Sequence, residues 1–158
     1  YRTSLSCSLH PKYYPLKGLT AIYSPKVFMI RGAFKDAHRY VFPPEFKVFS
    51  ILSIAADRDP PITEDGSYAN PADYEAMEQK IRTFLRISVH QGHTKLIMAA
   101  LGCGKAKNPA KGVATAFLCV FNKAEFQGGW WEEIIFAVND DWEDRDEEKK
   151  GTQGSGIF

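Results

Sequence analysis

The chain has 158 residues, room for one domain with a proper core, since single domains commonly run to ~100–200 residues. Apolar residues make up 44% and charged residues 25%, ordinary proportions for a globular protein, which exclude disorder as the default. Twenty basic residues against nineteen acidic ones leave a formal charge of +1, so no chain-wide field draws nucleic acid or an anionic membrane; neither is expected as a partner, and any anion site must be local.

Residues 1–26, rich in Ser, Tyr and Pro, read as an extended, loop-heavy opening. Residues 27–30 and 46–56 are β-branched and aromatic and read as strands, separated by Pro43-Pro44. The second runs into the turn residues 57–61 and a polar loop to Asn70. Asn70-Pro71 is a helix start, with Asn as N-cap, Pro at the first helical position and Asp73 and Glu75 in the first turn. Tyr74, Met77, Ile81, Phe84, Leu85 and Ser88 form its apolar stripe, and Gly92 is its stop. Residues 94–101 are nearly continuously apolar, as expected of a strand covered on both faces. Asn108-Pro109 repeats the helix start, Val113, Phe117, Val120, Phe121 and Ala124 give the second stripe, and Gly128-Gly129 its end. Residues 132–138 are a further buried strand, and residues 141–158 read as a charged, Gly/Ser-rich flexible tail. Strands alternating with helices predict an α/β layered fold.

Ligands of such folds bind at the carboxyl ends of the strands, where the next helix directs free N–H groups and its positive dipole end. Gly102, Cys103 and Gly104 stand at that place, and Lys105, Lys107 and Lys111 add positive charge, so a phosphate or diphosphate is the natural guest; a plain tight turn is the other reading. Cys103 near a helix N-terminus also suggests a thiolate nucleophile, with His90 or His93 as base, in an unrelated α/β enzyme. Asn139, Asp140 and Asp141 end the last strand on the same rim, either to bind a nucleoside hydroxyl or base edge or simply to form a turn. Trp130 and Trp131 read as packing residues. Cys7, Cys103 and Cys119 are odd in number, with no CxxC pair and no His at zinc-finger spacing, so no metal site and a reducing compartment are expected. The absence of a long apolar run and of a signal-peptide layout adds to the expectation of a cytoplasmic or nuclear protein. A start on Tyr1 in place of Met fits an excerpt or processed form of a longer chain.

Ala99-Ala100-Leu101-Gly102-Cys103-Gly104, with Asn108-Pro109 and Val113-Ala114, resembles the GALGCGAFxNPPxxVA segment of microbial-type poly(ADP-ribose) glycohydrolases, which are macrodomains. Arg2-Thr3-Ser4-Leu5, Tyr13-Tyr14-Pro15-Leu16, Ile22-Tyr23-Ser24-Pro25, Ala55-Ala56-Asp57-Arg58 and Phe136-Ala137 resemble further pieces of that family in the same order. The resemblance covers residues 1–140 and implies a macrodomain-like domain there, with a mixed, mostly parallel sheet and helices on both faces. It implies an ADP-ribose pocket in which the Gly102–Asn108 loop, with Gly102, Cys103, Gly104 and Asn108, cradles the diphosphate and distal ribose; the charge of Lys105 and the rim position of Asp140, read from the residues themselves, complete the expected ligand-binding set. Lys105-Ala106 departs from the family's Ala-Phe, whose aromatic packs on the distal ribose. Family enzymes hydrolyse the ribose–ribose glycosidic bond without metal or cofactor, using an acid in a Gln-Glu-Glu motif expected upstream of Tyr1. The implied partners are ADP-ribose or an ADP-ribosylated protein. The alternative is a non-catalytic macrodomain acting as an ADP-ribose reader or a protein-interaction module.

Overall fold

The computed structural model describes residues 4–5, 11–32 and 37–138. The chain divides at Ala55/Ala56 into two compact units. The first holds an antiparallel sheet in the order β1 (Ser4–Leu5), β2 (Ala21–Met29), β3 (Lys47–Ile54). β2 starts six residues earlier than the sequence suggests. Its register shifts between Ser24 and Val27, and this bulge accommodates Pro25, which has no N–H to give a ladder, and Lys26 at φ 54°.

The second unit holds α1 (Pro71–His90), β4 (Lys95–Ala99), α2 (Ala110–Phe121), a 3₁₀ turn (Ala124–Phe126) and β5 (Glu133–Ala137). α1 begins as expected: the Asn70 side chain accepts from Ala72 N at 3.1 Å, and Pro71 follows. Gly92, at φ +71°, supplies the left-handed residue after its end. α2 departs from expectation at both ends. Pro109, not Asn108, is its N-cap; proline has no polar side-chain atom to cap with, and the Asn108 side chain is used elsewhere; the helix stops at Phe121 with Asn122 as C-cap, well before Gly128-Gly129.

β4 and β5 pair in parallel, Lys95 opposite Glu133 through Ala99 opposite Ala137, with α2 in the crossover. Leu96 and Met98 face a core made with Met77, Ile81 and Leu85 of α1 and Val113, Ala116, Phe117 and Val120 of α2. The cover expected on both faces of β4 is thus supplied on one face by the helices of this unit, and Ile97, pointing the other way, is exposed. Trp131 packs on Phe121 and Phe126 at 5.8 and 5.7 Å between centroids, as its packing role requires. The α/β class holds, with the described strands divided between an antiparallel and a parallel sheet. No described helix is long and apolar enough to cross a membrane.

Candidate functional site

The connection from β4 to α2 is the loop of residues 100–109. Cys103 N donates to Ala100 O at 3.1 Å, Lys107 N to Gly104 O at 2.8 Å and Asn108 N to Gly102 O at 3.0 Å, so the loop folds back on its own root. Gly102 sits at φ +77°, and a Cβ there would lie 2.5 Å from Ala56 Cβ and 2.6 Å from Asn108 Nδ2. Only glycine fits both the backbone conformation and the space.

Asn108 is buried and spends its whole side chain on the protein. Its amide nitrogen lies 2.8 Å from Asp57 O, 3.2 Å from Ala106 O and 3.4 Å from Gly102 O, and its Oδ1 accepts from Tyr68 OH at 2.8 Å. One amide therefore ties together the segment after Ala56, the loop itself and the polar loop before α1. Asp59 N adds a further tie to Ala106 O at 2.9 Å. Burial pushes the Tyr68 phenol well above its ordinary value, which keeps it a donor to Asn108. The Tyr68 ring rests on α2 at Gly112, where a Cβ would come within 2.8 Å of Cδ2.

Asp57 is held from a second direction. The Lys80 side chain, only 3% exposed, reaches from α1 to place Nζ 3.1 Å from Asp57 Oδ2. Tyr68, Asp57 and Lys80 are the positioning residues that sequence reading missed. The signals present were the Ala55-Ala56-Asp57-Arg58 match at a strand end and the place of Lys80 three residues after Met77 on the buried stripe of α1.

The expected ligand-facing residues separate into kinds. Gly104 differs from Gly102, since a Cβ there would meet no atom within 4 Å: the fold leaves open space beside it. Lys107 and Lys111 are ion-paired with Asp59 and Asp65 at 3.3 and 2.9 Å, and this neutralises two of the three charges expected around the loop. Lys105 is exposed and has no ion-pair partner among the described residues, so of the three lysines it is the one whose charge stays unbalanced. Asp140 lies outside the described residues.

The environment of Cys103 opposes the nucleophile reading. Burial pushes the thiol up, and Sγ points to Leu101 O at 3.8 Å. His90 and His93 precede β4 while Cys103 follows it, so a five-residue strand, roughly 16 Å of rise, separates base from thiol. Among the described residues no cluster of His, Cys, Asp and Glu could hold a metal. Glu45, in the first unit, pairs with Arg39, and Glu64 lies in the exposed turn closed by Gly66 N to Thr63 O.

No protein-family model matches the chain, and no curated protein does. Solved structures do. The poly(ADP-ribose) glycohydrolase of Deinococcus radiodurans in complex with ADP-ribose is 26% identical, with a TM-score of 0.60 over 80% of this chain and 49% of that one. The poly(ADP-ribose) glycohydrolase of Thermomonospora curvata is 25% identical, with a TM-score of 0.61 over 81% and 44%. A point mutant of the latter gives 26% and 0.62 over 82% and 46%. This chain spans about half the length of the proteins it matches.

Proposed function

We propose that this chain, whose fold is similar to that of microbial poly(ADP-ribose) glycohydrolases, is a macrodomain that binds ADP-ribose, the diphosphate lying against the Gly102–Asn108 loop. The carrying observation is the contrast within that loop. Its root is fixed by Gly102 and Asn108, while Gly104 borders open space and Lys105 keeps a free charge. A fixed loop with backbone amides and one cation beside an unfilled space suits an anion that arrives from solvent. Similarity to a structure crystallised with ADP-ribose supports that choice of anion. In this reading Asn108 shapes the loop and Asp140 stands on the rim, within a binding domain of residues 1–140 followed by a tail. Free Cys103 and Cys119 suit the cytosol or nucleus.

Titration calorimetry with ADP-ribose tests the reading. Saturable heat that disappears in Gly104→Val, with the thermal midpoint of the variant unchanged, is the expected result. Silence at millimolar ADP-ribose overturns it.

Hydrolysis of the ribose–ribose bond is the second reading, favoured by the same similarity. It requires a positioned carboxylic acid to protonate the leaving oxygen. The carboxylates described beside the loop, Asp57 and Asp59, are each ion-paired with a lysine. Release of ADP-ribose from poly(ADP-ribose) supports hydrolysis, whereas binding with the polymer left intact supports a reader or interaction module.

A further inference from the structure

The near-neutral total charge hides a division along the chain. Residues 1–55 carry eight of the twenty basic residues and two of the nineteen acidic ones, a formal +6, against −5 for the rest. That boundary is also the boundary of the first compact unit.

Within this unit the chain after β2 makes an isolated antiparallel bridge between Arg31 and Tyr40. Val41 N donates to Ile30 O at 3.0 Å, Gly32 N donates to Arg39 O at 2.9 Å, and Arg31 bridges Tyr40. Met29 at the end of β2 pairs with Lys47, and two residues further on Arg31 pairs with Tyr40. The Arg31 guanidinium lies 4.1 Å from the centroid of the Tyr40 ring and donates to its hydroxyl. The Phe42 ring is 6.3 Å from that of Tyr40. These rings are 54% and 67% exposed, and Lys47 is exposed with no ion-pair partner among the described residues. The described acid of this unit, Glu45, is engaged by Arg39 at 3.3 Å.

Two exposed aromatic rings, one of them with an arginine stacked on it, near a second cation and on a unit carrying a large positive excess, match a flexible polyanion that brings its own flat rings. We propose that this face binds single-stranded nucleic acid, stacking bases on Tyr40 and Phe42 and setting phosphates against Arg31 and Lys47. A duplex keeps its bases stacked on each other and cannot use the rings. A purely apolar protein partner leaves the cations unanswered. The proposal does not rest on the ADP-ribose reading, which concerns residues of the other unit.

The test is fluorescence anisotropy of the full chain with a labelled mixed-sequence single-stranded oligonucleotide of about 15 residues, as DNA and as RNA, across a salt series. Binding should weaken with salt, Tyr40→Ala and Phe42→Ala should each raise Kd about tenfold, and Tyr40→Phe should restore it. Lys47→Gln should lower the salt slope by about 0.7. Circular dichroism verifies that each variant is folded, and ADP-ribose heat separates loss of this site from loss of the other. Unchanged affinity in both alanine variants, or equal affinity for duplex and single strand, overturns the proposal.

Discussion

Gly102 and Gly104 stand two positions apart and answer to different constraints. Gly102→Ala must put a Cβ at φ +77° into Ala56 and Asn108, and strain plus overpacking should cost about 2–4 kcal/mol by chemical denaturation. A Cβ at Gly104 meets no atom within 4 Å, so stability in Gly104→Val should hold within about 0.5 kcal/mol. Equal destabilisation of the two would mean that Gly104 is structural too. Asn108→Ala strips a donor group from the Asp57, Ala106 and Gly102 carbonyls and an acceptor from Tyr68, which should cost about 1–3 kcal/mol. Tyr68→Phe, which removes one hydroxyl from the same network, should cost about 1 kcal/mol. The double variant should fall short of the sum, since both substitutions break the same bond. The glycines were visible in the sequence as a turn. Their division of labour was not, because it depends on Ala56, far away along the chain.

Among the elements, α1 was the most legible. Its cap, first-turn proline and apolar spacing are all local signals, and the stripe Met77, Ile81 and Leu85 is buried as spacing requires. Asn70→Ala should therefore cost about 1 kcal/mol, read by thermal unfolding. The same spacing also covers Lys80, which a pattern of apolar residues passes over: its stem is buried while its ammonium finds Asp57. β2 was misread because Pro25 signals a strand end unless a bulge accommodates it, and bulges have no reliable local signature. The link from α1 to the 3₁₀ turn makes a prediction about acid. Burial alone would raise the Glu125 carboxyl, but hydrogen bonds from Arg86 and Arg82 outweigh it and hold it below its ordinary 4.5. A depressed folded value means that the contribution is present above pH 4.5 and lost as pH falls through the folded value. Glu125→Gln should thus lower the thermal midpoint at neutral pH and converge on wild type in strong acid; a constant gap would exclude ionisation as the cause.

For the whole molecule, sequence delivered the α/β class and the resemblance that the solved structures bear out in fold. It did not deliver the two units, because strand pairing is decided by contacts between distant residues and not by local composition. A ligand that binds only the folded chain must also stabilise it. ADP-ribose at about 100 times Kd should add about 2.7 kcal/mol and raise the midpoint by roughly 5–10 °C at this chain length, a shift that Gly104→Val should abolish. The way Asn108 is held also bears on how long the protein keeps its form. Spontaneous deamidation of asparagine proceeds when the next backbone nitrogen attacks the side-chain amide and closes a succinimide ring. Here that nitrogen belongs to Pro109, which carries no hydrogen and sits at the mouth of α2. The chemistry that would turn a donor facing three carbonyls into a carboxylate is closed off at Asn108, and the loop is protected from this route of ageing.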